Sequence, residues 1–393
     1  MDEKTILFVK EHENDDVRTL ALQANRYSEI DMPFVVRQIT GRKIARDKIP
    51  SWYSLDEIIY PPHLSLQQSS SEKTAKYKAS LCKGNTFADL TGGMGVDFSF
   101  MSRKFHEVTY VEAQEELAEI ARHNFKVSGL TDIRVHVARA EEYLKDMDAV
   151  DTLYLDPARR SNTGAKTVLI KDCTPNITEL EQLLEQKSSR TIIKLSPMLD
   201  IVQALNTLKN VSEVHIVSVS NECKELLFIK EKPSEDIHNT VFYCINIHND
   251  HRTDIYTFDK ETENTLHISC TNKVKKYLYE PNASILKAGA YKSVGHDFKV
   301  EKLHPNSHLY TSDEYVENFT GRRFIVKDIL PFNKKNIKDM TACYKQANIS
   351  VRNFPLTVDE IRKKTGIKEG GEIYIFATTL SDNQKILVIA EKH

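Results

Sequence analysis

The residues best suited to chemistry begin between Thr86 and Asp97, in Thr-Phe-Ala-Asp-Leu-Thr-Gly-Gly-Met-Gly-Val-Asp. Phe87, Ala88 and Leu90 make a short apolar run, long enough for a buried strand, that ends at Thr91. Gly92, Gly93 and Gly95 then supply conformations that favour glycine. Val96 to Met101 continues on a helical period. A strand, a glycine turn and a helix N-terminus let a ligand lie against bare backbone amides, which suits a nucleotide-like cofactor. Asp89 sits inside the first run, and Glu112 closes a second one, Val108 to Val111, 17 positions after Gly95. A carboxylate there can accept both hydroxyls of a ribose. A later run ends in Tyr154-Leu155-Asp156-Pro157-Ala158-Arg159-Arg160. If these runs are parallel strands, their carboxyl ends share one crevice, and Asp156 points into it with the glycines.

The elements that must position these residues are legible in outline. From 85 to about 232, strands and helices alternate, which argues for a parallel sheet flanked by helices. Strands are expected at 86–90, 108–111, 133–137, 151–155, 191–195, 213–218 and 225–229, with helices at 115–124 and 201–208. Only residues 220–224 join the last two strands, too few for a crossover helix, so these pair antiparallel. The fold class is therefore α/β, a Rossmann-like seven-stranded sheet with an antiparallel last strand. Residues 1–84 read as helical, with turns at Ile49-Pro50-Ser51-Trp52 and Tyr60-Pro61-Pro62. A helix follows the serine run, with Ser69 and Glu72 spaced as a capping box. A polar, proline-bearing boundary at Glu231 to Asp236 opens two small α+β regions. Strands are expected there at 240–247, 254–258, 324–326, 349–351, 373–378 and 385–390, and helices at 283–291, 336–347 and 357–364. Four domains result: 1–84, 85–235, 236–322 and 323–393.

Composition sets the limits. With 28% charged and 40% apolar residues, the 393-residue chain is an ordinary globular sequence. No run approaches the roughly 20 apolar residues of a membrane-spanning helix, and the start lacks a secretory signal. Six cysteines without a C-x-x-C pair indicate neither zinc nor disulfides, and a cytoplasmic location is the natural expectation. A net charge of −2 gives no global attraction to nucleic acid. Two local basic stretches remain, as solvated faces or as phosphate contacts: Arg37, Arg42, Lys43, Arg46 and Lys48, and Arg322, Arg323, Lys327, Lys334, Lys335 and Lys338. Arg159, Arg160 and Lys166 form a third set. Oligomeric state is not readable.

The dinucleotide fingerprint G-x-G-x-x-G fails at Phe98, where a small residue is needed. The glycine stretch with Asp89 and Glu112 instead resembles motif I and the acidic loop of class I S-adenosylmethionine-dependent methyltransferases. Asp156-Pro157-Ala158-Arg159 resembles their motif IV, with Ala158 in place of a second proline and no aromatic residue after it. Taken whole, the sequence resembles a bacterial group of these enzymes with a ferredoxin-like domain and a C-terminal THUMP-like domain. Gln68 to Glu72, Asp89 to Asp97, Asp156 to Arg160, Arg352-Asn353-Phe354-Pro355-Leu356 and Gly370-Gly371 carry that resemblance. It implies S-adenosylmethionine as cofactor, held by Asp89, Thr91, Gly92, Gly93, Gly95, Asp97, Glu112 and Asp156. Arg139 occupies the place where an acid often holds the adenine amine, so backbone amides or Glu141 are the alternatives. THUMP domains imply an RNA substrate, without metal or membrane.

Lys78, Asp156, Lys194 and Glu225 occur in the order, and at the elements, of the Lys-Asp-Lys-Glu tetrad of ribose 2′-O-methyltransferases. The resemblance implies catalytic roles for all four, with a lysine pKa lowered by neighbouring cations. Neither Asp156-Pro157-Ala158 nor Ser196-Pro197-Met198 holds a thiol, which argues against covalent cysteine catalysis. Open at this point are a base nitrogen or a ribose oxygen as acceptor, a small-molecule or protein substrate, an NAD-dependent oxidoreductase, and an RNA-binding protein with a vestigial pocket.

Overall fold

A computed structural model describes residues 1–61, 63–159, 169–232, 239–250 and 252–393. Arg160, Lys166 and, of the boundary, Pro233 to Asp236 lie outside the described residues. Two compact units form, one of Met1–Val214 and Glu225–His238, the other of His215–Lys224 and Asn239–His393. Among the described residues no helix is long and apolar enough to cross a membrane, and no cluster of three or more His, Cys, Asp or Glu is arranged to hold a metal ion.

The first unit opens with six helices: α1 Glu3–Glu11, α2 Val17–Leu22, α3 Met32–Lys48, α4 Pro50–Tyr53, α5 His63–Gln68 and α6 Glu72–Ser80. Asp2, Asp16 and Asp31 cap the first three, each accepting the backbone N–H three residues on. On α3, Val35, Ile39, Arg42 and Ala45 recur at steps of three and four and face inward. The expected turn at Ile49 to Trp52 is instead α4, where Pro50 suits the first helical position and Trp52 enters the core. The capping box expected at Ser69 and Glu72 is also corrected. Ser71 caps α6 by accepting from Thr74 N, while the Glu72 carboxylate takes Ser51 N at 2.8 Å. Lys78 lies on the buried side of α6 with Thr74, Ala75 and Ala79, so the helix itself carries this lysine inward.

Seven strands follow: β1 Thr86–Asp89, β2 Glu107–Glu112, β3 Arg134–Val137, β4 Val150–Leu155, β5 Ser188–Leu195, β6 Val211–Val219 and β7 Glu222–Glu231. They are consecutive in a nine-stranded sheet, two strands more than the seven expected, in the order β6-β7-β5-β4-β1-β2-β3. Strands β1 to β5 pair parallel, and β7 runs antiparallel to β5. Between them lie α7 Val96–Met101, α8 Glu115–Val127, α9 Ala140–Asp146, α10 Ile177–Lys187 and α11 Ile201–Thr207. The central strands are buried on both faces, as crossover helices require, which is why they read as apolar runs. Ser220 and Asn221, both at positive φ, make the two-residue turn between β6 and β7. The chain leaves β1 toward β2 on one side and returns to β4 on the other. A crevice therefore opens at the carboxyl ends of β1 and β4, where Asp89 and Asp156 stand.

In the second unit, β8 Val241–Ile247 and β9 Thr253–Asp259 pair antiparallel. A seven-stranded sheet follows, from β10 Tyr277–Pro281, β11 Glu301–Lys302, β12 Tyr310–Ser312, β13 Gly321–Pro331, β14 Asn348–Arg352, β15 Ile373–Thr379 and β16 Lys385–Lys392. Its order is β11-β12-β10-β13-β16-β15-β14, with β14 and β15 parallel. The helices are α12 Lys260–Thr265, α13 Ala283–Ala288, α14 Tyr291–Asp297, α15 Lys334–Cys343 and α16 Val358–Thr365. The single helix expected over 283–291 is broken at Gly289, whose φ of +76° ends α13. A true capping box occurs at Thr357 and Glu360 on α16.

Candidate active site

The glycine turn after β1 is shaped by three different needs. A Cβ on Gly92 would lie 2.0 Å from the Tyr110 ring, and one on Gly95 would lie 2.6 Å from Phe125. Gly93 has φ +57° with open space where a Cβ would stand, the nearest atom being Thr91 O at 3.9 Å, and its N–H and C=O are held by Glu112 and Tyr110. Because α7 has only six residues, this side-chain-free turn and its carboxylates, more than a helix dipole, give the crevice its character. Asp89 accepts Thr91 N at 2.9 Å. Glu112 accepts Gly93 N at 2.8 Å and Gln114 N at 2.9 Å, fixing its carboxylate at the end of β2. Thr91 ties the turn to the loop after β4 by accepting Asp156 N at 2.6 Å. Burial, and then the charges of Asp97, Asp156 and Glu112, push the Asp89 carboxyl well above the usual range.

Strand register assembles the lysines and their partners. Leu155 pairs with Ile193, which brings Asp156 level with Lys194. Leu195 pairs with Leu226, which places Glu225 just beyond the carboxyl end of β5. Lys194 Nζ donates to Asp156 Oδ2 at 2.6 Å. Lys78 Nζ reaches both Glu225 oxygens at 2.7 Å. The four residues named from the sequence thus come together in one cluster. They are not equally accessible. Lys78 and Glu225 are buried, whereas the Asp156 side chain is 39% exposed and that of Lys194 13%.

Asp97 joins the two pairs. Its Oδ1 faces Lys78 Nζ at 3.2 Å, an ion-pair distance off the hydrogen-bonding line. Its Oδ2 accepts Ser70 Oγ at 2.8 Å and Tyr154 OH at 2.7 Å, and lies 3.8 Å from Lys194. Ser70 in turn accepts from Lys78 at 3.1 Å. Burial raises the Asp97 carboxyl, but Lys78, Lys194, Tyr154 and Ser70 outweigh it and hold it below the usual range. Burial alone would lower Lys194. Asp156, Asp97 and Glu225 outweigh that and hold its ammonium above the ordinary lysine range. The sequence-based expectation of a lysine lowered by neighbouring cations is thereby corrected: carboxylates surround this lysine.

Arg139 caps α9 with its side chain 61% exposed, 3.9 Å from Glu141. The first basic stretch is largely spent inside its own unit. Arg42 faces Glu13 and Asp56, Lys43 bonds Asp15 O, and Lys48 bonds Leu66 O and Gln67 O. In the second unit Arg322 pairs with Glu280 and Lys327 with Glu391. Lys334, Lys335 and Lys338 stand exposed on α15, and Lys338 and Lys345 border a cleft of about 420 Å³. Cys173 is buried, with Sγ against Leu169 O, and among the described residues no thiol joins the cluster. Sequence reasoning missed Ser70 and Tyr154. A tyrosine in a strand buried on both faces needs a partner for its hydroxyl, and that requirement was the available signal.

Comparison with known proteins agrees with this architecture. A solved structure from Porphyromonas gingivalis W83, assigned as a methyltransferase, is 34% identical with TM-score 0.89, covering 100% of this chain and 99% of its own. A curated protein of Pyrococcus abyssi (strain GE5 / Orsay), 23S rRNA (uracil(747)-C(5))-methyltransferase, is 27% identical over 136 residues. That match covers 31% of this chain and 32% of the relative, so the chain spans about a third of the length of the curated relative it matches. Family models match a ferredoxin-like domain over residues 277–319 and a THUMP domain-like region over 321–392.

Proposed function

The chain belongs to the class I S-adenosylmethionine-dependent methyltransferases that carry a ferredoxin-like and a THUMP-like domain, and we propose that its acceptor is RNA, methylated at a ribose 2′-hydroxyl. The crevice suits a cationic donor. Asp89, Glu112 and Asp156 converge at the strand ends, and among the described residues Lys194 alone answers them there, through Asp156. When bound, S-adenosylmethionine supplies an electrophilic methyl on a sulfonium. We assign Glu112 to its ribose hydroxyls, Asp89 to its ammonium, and Gly92, Gly93 and Gly95 to its close approach. Thr91 holds Asp156 against this crevice. Asp97, for which the resemblance suggested cofactor contact, faces the lysines instead, and the exposed Arg139 is left for a substrate or adenine contact.

The observation that carries the acceptor assignment is the Asp156–Lys194 pair at the crevice mouth, backed by buried Lys78 and Glu225. A hydroxyl is a weak nucleophile. It gains from a carboxylate that accepts its proton, an ammonium that fixes its oxygen, and alignment with the methyl. Alignment supplies much of the acceleration. With Ala158 after Pro157, the loop's described side chains offer no aromatic face for an extruded base, which favours ribose over a base nitrogen. RNA is supported by the activity of the Pyrococcus relative on 23S rRNA, by the THUMP-like region, and by the exposed lysines of α15. Incubating a cell extract, made from cells lacking the protein, with enzyme and methyl-labelled donor tests the substrate class. Ribonuclease should release the label. Release by protease, or label already in small molecules, overturns the RNA assignment.

A further inference from the structure

We propose that Asp97 is a positioning residue of the transfer. Linked to Ser70, Tyr154 and Lys78 and 3.8 Å from Lys194 Nζ, it holds that ammonium in place beside Asp156, so that Asp156 and not a lysine takes the acceptor's proton. This rests on the methyl-transfer reading of the same site, but it departs from a lysine base. The geometry is specific. Asp97 is the one carboxylate of the cluster within 4 Å of both lysines. Ser70 and Tyr154 lock its Oδ2 by donating to it. The groups facing Lys194 are Asp156 from the loop after β4, Asp97 from α7 and Glu225 from β7, with Tyr154 of β4 and Lys78 of α6 behind them. A fixed ammonium among three carboxylates is a poor base and a good anchor.

In the step that follows, a lone pair of the acceptor oxygen forms the bond to the methyl carbon. The carbon–sulfur pair returns to sulfur, leaving a neutral thioether. The hydroxyl proton passes to Asp156, and Lys194 keeps its own.

The test reads Lys194 directly. In protein labelled with ¹³C at lysine Cε, the resonance that disappears in Lys194→Arg should show no titration up to about pH 11. In Asp97→Asn a midpoint should come into range below about pH 11, a change that a merely structural role would not produce. Tyr154→Phe with Ser70→Ala loosens Asp97 without removing its charge. It should lower turnover on total RNA while S-adenosylhomocysteine affinity stays within about twofold, and it serves if Asp97→Asn does not fold. Lys194→Arg should keep part of the turnover, Lys194→Met almost none, and Asp156→Asn none. A wild-type Lys194 midpoint below about pH 11, no midpoint below about pH 11 in Asp97→Asn, or an active Asp156→Asn overturns the proposal. If the wild type labels no RNA, the RNA reading fails, while the titration still decides the role of Asp97.

Discussion

Replacing Glu225 by leucine should destabilise the first unit severely, and the reason lies in its partner. Lys78 Nζ is fully buried and meets both Glu225 oxygens at 2.7 Å. Removing the carboxylate leaves that ammonium with Asp97, off the hydrogen-bonding line, and Ser70. Breaking a buried pair from one side costs about 3–5 kcal/mol, because the remaining charge stays desolvated. For a domain of this size each kcal/mol moves the midpoint by roughly 2–4 °C, so a fall of roughly 6–20 °C is expected. The chain's single tryptophan, Trp52, is buried in a core of the same unit, so its fluorescence during urea unfolding reports this unit alone. Lys78→Met combined with Glu225→Leu removes both charges. That double variant should recover part of the loss, since apolar replacement of a buried pair is often neutral, while Asp97 loses the Lys78 charge that helps hold it ionised. It should nevertheless be inactive. A single Glu225→Leu variant within about 1 kcal/mol of the wild type would refute the reasoning, because Lys78 would then be hydrated rather than buried.

Three further outcomes follow from the same geometry. Gly92→Ala and Gly95→Ala should each weaken S-adenosylhomocysteine binding at least about tenfold in calorimetry, because the new Cβ atoms meet the Tyr110 and Phe125 rings and overpacking distorts the turn. Burial raises the Asp89 carboxyl, and pairing with the donor's ammonium should lower it again. Binding of S-adenosylmethionine should therefore release protons in buffers of different ionisation enthalpy, and affinity should fall as pH is lowered; Asp89→Asn should abolish both effects. Reversing the charges of Lys334, Lys335 and Lys338 should weaken RNA binding and reduce its salt slope by roughly two, at about 0.7 per single-strand phosphate contact.

Much of the sheet was legible because its central strands are covered on both faces, so they read as apolar runs ending in a turn or an acid. That is how the sequence places Glu112 and Asp156 at strand ends and Asp89 inside the first strand. Lys194 stood out as a lysine within such a run. For Asp97 the resemblance implied a cofactor contact. Its contacts arise from α6, α7, β4 and β5 meeting, which no local pattern encodes. The basic stretch from Arg37 to Lys48 looked like a surface, but the period of α3 turns Arg42 inward to Glu13. Capping depends on a single residue's backbone angles, so the start of α6 and the break at Gly289 were displaced from the expected positions.

The most direct test of the central claim is alkaline hydrolysis of RNA methylated by the enzyme with labelled donor. Cleavage by alkali needs a free 2′-hydroxyl, so a methyl on that oxygen protects the adjoining phosphodiester. The account predicts label in alkali-stable dinucleotides, lost when Asp156→Asn replaces the wild type. Label in mononucleotides would place the methyl on a base and contradict the ribose assignment.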